Sequence, residues 1–100
     1  MEYTAFCKTG VRVSKLGLGG SPLGGDYGPV TDEQVTEVID RALELGVNFI
    51  DTAPLYGRGE SERRIGKALQ GKRDKVVLAT KAVMRGEPYT YDNNNPFRLI

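Results

Sequence analysis

The apolar residues of this chain follow two different spacings, which predicts that helices and strands alternate along it. From Thr31 to Gly46, apolar side chains recur every three or four residues, as they do on one face of a helix. These positions are Val35, Val38, Ile39, Ala42, Leu43 and Leu45. Thr31 and Gln34 have the form of a capping box, and Gly46 can end the helix in the left-handed conformation. Residues 47–50 are then a short apolar run, typical of a buried parallel strand.

The alternation continues beyond the loop that begins at Asp51. Residues 60–69 open with acidic and close with basic side chains, as the helix dipole favours, and Gly71 can close this second helix. Residues 76–81 are rich in β-branched side chains and predict another buried strand. Residues 86–100 lose the pattern and are interpreted as a polar loop and tail.

The residues before the first helix predict a β-hairpin at 3–13, with Gly10 in its turn, and a glycine-rich strand at 16–20. Strands alternating with helices over residues 16–85 predict βα units with parallel strands and right-handed crossovers. Three parallel strands would leave both edges and one face of the sheet exposed. We therefore interpret residues 1–100 as the amino-terminal part of one larger α/β domain.

The net charge, the apolar runs and the cysteine count of the chain limit which partners and which cell compartment are expected. The chain has 100 residues and a net charge of +1, so no strong field favours nucleic acid or an acidic membrane as a partner. It has no long apolar run and no signal-like leader, which predicts neither a membrane span nor export. Cys7 is the only cysteine, which suits a reducing cytoplasm. Cys7 could be a reactive thiol, but we expect it to be a small, buried or half-buried apolar residue.

Histidine is absent from the chain, which limits the possible chemistry. Zinc sites built on histidine and Ser–His–Asp triads cannot be assembled from these residues, and no metal site is predicted. A general acid would have to be a carboxylic acid, a tyrosine, a lysine or the single cysteine.

Two glycine-rich segments imitate nucleotide-binding motifs without matching them. Residues 17–24 follow a predicted strand, but Pro22 stands in place of the third glycine of a dinucleotide fingerprint and no helix is predicted to open there. Residues 66–73 imitate a P-loop until Arg73, which replaces the magnesium-binding hydroxyl residue. Residues 17–24 are interpreted as a flexible loop at the carboxyl end of a strand, which is compatible with a different mode of cofactor binding. The P-loop interpretation of residues 66–73 is rejected.

Asp51, Tyr56 and Lys81 form a more informative group. Asp51 and Lys81 each end a predicted parallel strand, and Tyr56 follows in the loop after Asp51. Carboxyl ends of parallel strands share one rim, so we expect the three side chains to meet there, with a buried Asp51 holding Lys81. An ammonium group near a phenol favours the phenolate, which would suit general acid–base catalysis. The alternative is a simple Asp–Lys ion pair with Tyr56 packed over it.

Several segments resemble the aldo-keto reductase family in order and spacing. They are Gly10–Gly19, Asn48–Gly57, Ser61–Glu62, Ile65–Leu69 and Ala79–Lys81. The segment Ser21–Gly24 is similar to the galactose and aldose 1-dehydrogenase branch of that family.

This resemblance implies an (α/β)8 TIM barrel with a hairpin across its base, of which the chain would hold about three βα units. It implies hydride transfer between NADP(H), or in some members NAD(H), and a carbonyl compound or alcohol such as an aldehyde, ketone or sugar. Asp51, Tyr56 and Lys81 match three members of the family's catalytic tetrad, whose fourth member is a histidine. Gly20, Ser21 and Asp51 match positions at the nicotinamide end of the cofactor.

Two other functions stay open on the sequence. The chain could be a catalytically inactive, truncated barrel that binds a partner, because its sheet edges would favour association. It could also belong to a regulatory subunit of the same fold that binds cofactor with little turnover. The sequence indicates no particular oligomeric state.

Overall fold

The computed structural model describes residues 1–82, which form a hairpin, a parallel sheet of three strands and two main helices. In chain order the elements are β1 (Tyr3–Ala5), β2 (Arg12–Ser14), β3 (Leu18–Gly19), α1 (Asp32–Glu44), β4 (Phe49–Asp51), α2 (Glu60–Ala68) and β5 (Val77–Ala79). β1 and β2 pair antiparallel, and β3, β4 and β5 lie side by side in that order, all parallel. The predicted alternation is confirmed. The polar tail predicted at residues 86–100 lies outside the described residues.

The hairpin turn corrects the expectation for Cys7. Cys7 is exposed, not buried, because it lies in the turn between β1 and β2. Its φ is +54°, and Gly10 in the same turn has a φ of +77°. This left-handed backbone reverses the chain at the tip of the hairpin, away from the hydrophobic core.

The hairpin is anchored at the amino-terminal end of β4. The backbone N–H of Ser14 donates to the side-chain oxygen of Asn48 at 2.7 Å, and the N–H of Asn48 donates to the Ser14 hydroxyl at 3.1 Å. The Tyr3 hydroxyl donates to the Gly46 carbonyl at 2.6 Å. These bonds use backbone groups that would otherwise continue the strand, so β4 begins at Phe49 and not at residue 47 as predicted.

The carboxyl end of β4 also differs from the prediction. Asp51 is the last strand residue and not the first loop residue, because it pairs with Gly19 on one side and Ala79 on the other. β5 covers Val77–Ala79, shorter than the predicted 76–81, since only the three residues of β4 are available to pair with it.

Helix α1 has the predicted ends. Its capping box is formed by Thr31 and Gln34, and Gly46 has a φ of +90° just beyond it. Two residues predicted for its apolar face are nevertheless exposed, Val38 by 42% and Leu45 by 56%. They flank the β3 edge of the sheet, which no other element of residues 1–82 covers.

The hydrophobic core lies between the two helices and one face of the sheet. Its buried members come from both helices, from β4 and from the adjoining loops. They are Leu23, Val35, Ile39, Ile50, Ile65, Ala68, Leu69 and Val76. Burying these side chains is the main favourable contribution to holding α1 and α2 on the sheet.

An ionic cluster joins the first turn of α1 to α2. The Asp32 carboxylate accepts two hydrogen bonds from the Arg63 guanidinium, both at 2.9 Å, and one from Arg64 Nε at 3.1 Å. The Lys67 ammonium lies 3.3 Å from the same carboxylate. The bonds from Arg63 outweigh partial desolvation and hold the pKa of Asp32 well below its usual range.

We expect Asp32→Asn to lower the melting temperature at pH 7. We also expect the melting temperature of this variant to fall less than that of the parent when the pH is lowered. The pKa of Asp32 is lowered on folding, so its carboxylate stabilises the fold fully above its ordinary pKa of 3.8. As the pH falls below that value, the unfolded chain takes up the proton first and the stabilisation is lost. Thermal unfolding of the larger α/β domain that contains this chain, followed from about pH 6 down to about pH 2, measures this.

Asp74→Asn is the matched control for that experiment. Asp74 is an exposed aspartate in the short helical turn Arg73–Lys75, away from the cluster. This variant should keep the pH dependence of the parent. An Asp32→Asn variant with the same acid dependence as the parent would contradict the assigned role of the Asp32 carboxylate.

Candidate active site

The three parallel strands bring their carboxyl ends, and the residues that follow them, to one rim. Gly20 and Ser21 follow β3, Asp51 ends β4, and Lys81 stands two residues beyond β5. Tyr56 begins the turn Tyr56–Gly59 between β4 and α2. Ligands of parallel α/β folds bind at this end of the sheet. The hairpin is anchored at the opposite end.

The structure brings Asp51, Tyr56 and Lys81 into one group. The Lys81 ammonium lies 3.3 Å from an Asp51 carboxylate oxygen and donates a hydrogen bond to the Thr52 carbonyl at 2.8 Å. It also lies over the Tyr56 ring, 5.1 Å from the ring centroid. A cation at this distance is attracted to the face of the ring. The ammonium therefore contacts both side chains with which it was predicted to act.

The group is half-exposed, which corrects the expectation of a buried aspartate. The side chains of Lys81 and Asp51 are 49% and 51% exposed. Desolvation lowers the pKa of Lys81, but the hydrogen bond and the charge of Asp51 raise it more, and Tyr56 adds to the rise. The net pKa of Lys81 is raised, so the ammonium is charged at neutral pH.

Two buried hydroxyl groups lie beneath this rim and fix its backbone. The Ser61 hydroxyl donates to the Gly20 carbonyl at 2.6 Å and lies 2.7 Å from the Thr52 hydroxyl. The Gly20 N–H donates to the Asp51 carbonyl at 2.7 Å. Ser61 and Thr52 are 0% and 1% exposed, so water cannot replace these bonds. The network connects the end of β3, the end of β4 and the first turn of α2.

Gly20 and Ser21, the predicted cofactor residues, follow β3 beside Asp51. Gly20 is buried in the hydroxyl network, whereas Ser21 is half-buried and its hydroxyl donates to the Asp26 carboxylate at 2.7 Å. Only a short 3-10 helix, Pro22–Gly24, follows them. The glycine-rich segment thus enters no long helix, in agreement with the rejection of a dinucleotide fingerprint.

The sequence interpretation gave no role to three residues that hold the rim together, namely Thr52, Ser61 and Asp26, although Thr52 and Ser61 lie in segments that carry the family resemblance. Ser61 could have been noticed, because it precedes Ile65 by four positions and so shares the buried face of α2. Thr52 and Asp26 gave no comparable signal, since their partners are distant in the chain.

Among residues 1–82, no group of three or more His, Cys, Asp or Glu side chains is arranged to hold a metal ion. Within the same residues, no helix has the length and apolar character needed to cross a membrane.

Comparison with known proteins decides the family. The model of the Aldo/keto reductase family matches residues 15–98 of the chain. The chain belongs to the aldo/keto reductase family. Its relatives include the aldo-keto reductase YhdN of Bacillus subtilis (strain 168), with 46% identity over 98% of this chain and 29% of that protein. L-galactose dehydrogenase of Arabidopsis thaliana is 43% identical over 81% of this chain and 26% of that enzyme.

Solved aldo-keto reductase structures match the fold. The holo form of an aldo-keto reductase from Bacillus halodurans has a TM-score of 0.75 and 36% identity, over 91% of this chain and 29% of that chain. An aldo-keto reductase from Klebsiella pneumoniae in complex with NADPH has a TM-score of 0.62 and 32% identity, over 71% and 24% respectively. The fold is therefore part of a (β/α)8 barrel, and this aldo-keto reductase chain spans less than a third of the length of these relatives.

We expect Gly20→Ala to destabilise the fold by about 1–3 kcal/mol, the usual cost of overpacking a filled interior. A Cβ at Gly20 would lie 2.8 Å from the Thr52 hydroxyl and 2.9 Å from both the Ser61 hydroxyl and the Asp51 carbonyl. Denaturant unfolding of the protein extended to the full barrel, followed by circular dichroism, measures the free energy of unfolding.

Gly19→Ala is the matched control for Gly20→Ala. Gly19 is the preceding residue, and a Cβ there meets no atom within 4 Å. This variant should change the free energy of unfolding by less than about 1 kcal/mol. Equal stability of the two variants would refute the tight packing described at Gly20.

Proposed function

We propose that this chain forms the amino-terminal part of an NAD(P)H-dependent oxidoreductase of the aldo-keto reductase type. The observation that carries the proposal is the meeting of Asp51, Tyr56 and Lys81 at the carboxyl rim of the parallel sheet. The chain spans 29% of the length of the Bacillus subtilis and Bacillus halodurans relatives. In this proposal the rest of the barrel, including the histidine of the tetrad, comes from further sequence.

The residues at the rim fit a nicotinamide cofactor. Ser21 and Asp51 are only half-buried, so their polar atoms can be reached from the open side of the rim, and Gly20 holds their strands together. We assign Gly20, Ser21 and Asp51 to the nicotinamide end of NADP(H), or of NAD(H). The NADPH complex of the Klebsiella pneumoniae relative supports NADP(H) as the cofactor. When bound, the cofactor supplies or accepts the hydride.

In this proposal Tyr56 is the general acid and base. Its phenol gives a proton to the carbonyl oxygen during reduction and takes it back from the alcohol during oxidation. Lys81 stabilises the phenolate that forms, because its ammonium lies against the Tyr56 ring. Asp51 and the Thr52 carbonyl hold that ammonium in place.

The substrate in this proposal is a small carbonyl compound or the matching alcohol, that is, an aldehyde, a ketone or a sugar. The L-galactose dehydrogenase relative supports the sugar branch that Ser21–Gly24 indicated. We place the enzyme in the cytoplasm, without nucleic acid or membrane as a partner, as the near-neutral charge and single cysteine predicted.

We expect Tyr56→Phe to abolish turnover and to leave cofactor binding largely intact, because it removes the phenol proton and keeps the ring. The variant is made in the protein extended to the full barrel, and NADPH oxidation and NADPH fluorescence titration are measured on the same preparation. Tyr27→Phe is the matched control, since Tyr27 is 82% exposed in the loop after β3 and should keep parental turnover. Turnover of Tyr56→Phe within a few-fold of the parent would refute the role given to Tyr56.

The fragment part of the proposal has its own test. NADPH titration and far-UV circular dichroism of the 100-residue chain alone should show weak folding and no micromolar binding, because one face of its sheet lacks a cover among the described residues. A well-folded chain that binds NADPH at micromolar concentration would contradict the fragment interpretation.

A further inference from the structure

One carboxylate connects the two loops that carry the proposed cofactor and proton-transfer residues. Asp26 Oδ2 accepts a hydrogen bond from the Ser21 hydroxyl at 2.7 Å. The same carboxylate accepts the backbone N–H of Gly57 in a bifurcated hydrogen bond, at 3.1 Å to Oδ1 and 3.3 Å to Oδ2. Gly57 directly follows Tyr56, so the carboxylate of Asp26 holds the peptide bond next to the proposed general acid.

The backbones of the same two loops pack so closely that only glycine fits at the contact. Gly57 has a φ of +60°, and a Cβ built on it would overlap the carbonyl oxygen of Gly24. A Cβ on Gly24 would in turn lie 2.9 Å from both the nitrogen of Gly57 and the carbonyl oxygen of Tyr56. Packing thus sets how near the loops approach, and the bonds of Asp26 set how the Tyr56–Gly57 peptide is oriented.

The turn Tyr56–Gly59 requires such stabilising contacts, because three of its residues have positive φ values. Gly57, Arg58 and Gly59 follow one another with φ values of +60°, +56° and +97°. A left-handed arginine between two glycines is a conformation that an unconstrained chain populates sparsely. The loop after β3 can stabilise this conformation because it is itself anchored to α2. The Arg64 guanidinium of α2 donates a hydrogen bond to the Leu23 carbonyl of that loop at 3.0 Å.

We propose that Asp26 is a positioning residue. Through the Gly57 N–H it orients Tyr56 toward the reacting carbonyl, and through its hydrogen bond to Ser21 it aligns the loop after β3 with Tyr56. The inference rests on the proposed function, since it assigns Asp26 to the same site. Asp26 itself is exposed at the surface and touches no reacting atom, so its effect is on geometry.

The test compares Asp26→Ala with Asp26→Asn in the protein extended to the full barrel. Asparagine keeps an oxygen for the Gly57 N–H and a polar group for Ser21, whereas alanine loses both bonds. We expect Asp26→Ala to lower kcat by ~10- to 100-fold, the effect of misplacing a reacting group, and Asp26→Asn to restore most of it. Asp74→Ala removes an exposed aspartate at the other end of the sheet and should leave kcat unchanged.

Ser21→Ala separates the two bonds of Asp26. It removes only the bond to Ser21, so it should weaken NADPH affinity and reduce kcat much less than Asp26→Ala does. Should Asp26→Ala melt below the assay temperature, Asp26→Glu takes its place, because the longer side chain keeps the charge but displaces the carboxylate from both donors. A kcat within threefold of the parent for the folded Asp26→Ala or Asp26→Glu variant would overturn the inference.

The same assays distinguish failure of this inference from failure of the proposed function. An inactive Tyr56→Phe variant beside a fully active Asp26→Ala variant would overturn only the positioning role of Asp26. A Tyr56→Phe variant with parental turnover would overturn the proposed function, and the role of Asp26 with it.

Discussion

β4 has a parallel neighbour on each side, and the arrangement of the whole rim depends on that pairing. Gly19 and Ala79 pair with Asp51 across the two edges of this central strand. The loops that follow the three strands consequently start at the same height. Residues about thirty positions apart in the chain, such as Asp51 and Lys81, come within contact distance. A shift of β4 by one residue against both neighbours would turn the Asp51 side chain to the other face.

The hydroxyl network turns this alignment into a fixed geometry. Hydrogen bonds between strands align backbones, but they leave the loops beyond the strands free to move. Ser61 reaches from α2 to the Gly20 carbonyl and to the Thr52 hydroxyl, so the helix holds both loops from below. The bonds are buried, and breaking any of them would leave a polar group without water. The half-exposed catalytic candidates thus stand on a rigid, buried support.

The two ends of the parallel sheet differ in what they carry: the amino-terminal end holds the hairpin, and the carboxyl end carries the polar rim. At the amino-terminal end, Ser14, Asn48 and Tyr3 tie the hairpin to β4 and contribute to stability. At the carboxyl end, charged and polar side chains gather at an accessible rim. This division is general among TIM barrels, in which loops at the carboxyl end carry the chemistry. Val38 and Leu45 are exposed beside the β3 edge, which no other element of residues 1–82 covers.

Features that depend on neighbouring residues could be predicted from the sequence. The spacing of apolar side chains and the Thr31–Gln34 capping box specified α1, and glycine at position 46 specified where it ends. The alternation of strands and helices specified parallel strands, and from them that Asp51, Tyr56 and Lys81 would gather at one rim. Each of these follows from neighbours in the chain or from a rule that holds for every parallel sheet.

Features that depend on partners distant in the chain emerged only from the packed fold. Bonds of Asn48 to the hairpin shortened β4 at its start, and the turn of the hairpin exposed Cys7. Packing of α1 against one side of the sheet left Val38 exposed although it fits the helical pattern. The link from Asp26 to Gly57 spans 31 positions, and no local pattern marks an aspartate as the acceptor for so distant a backbone N–H.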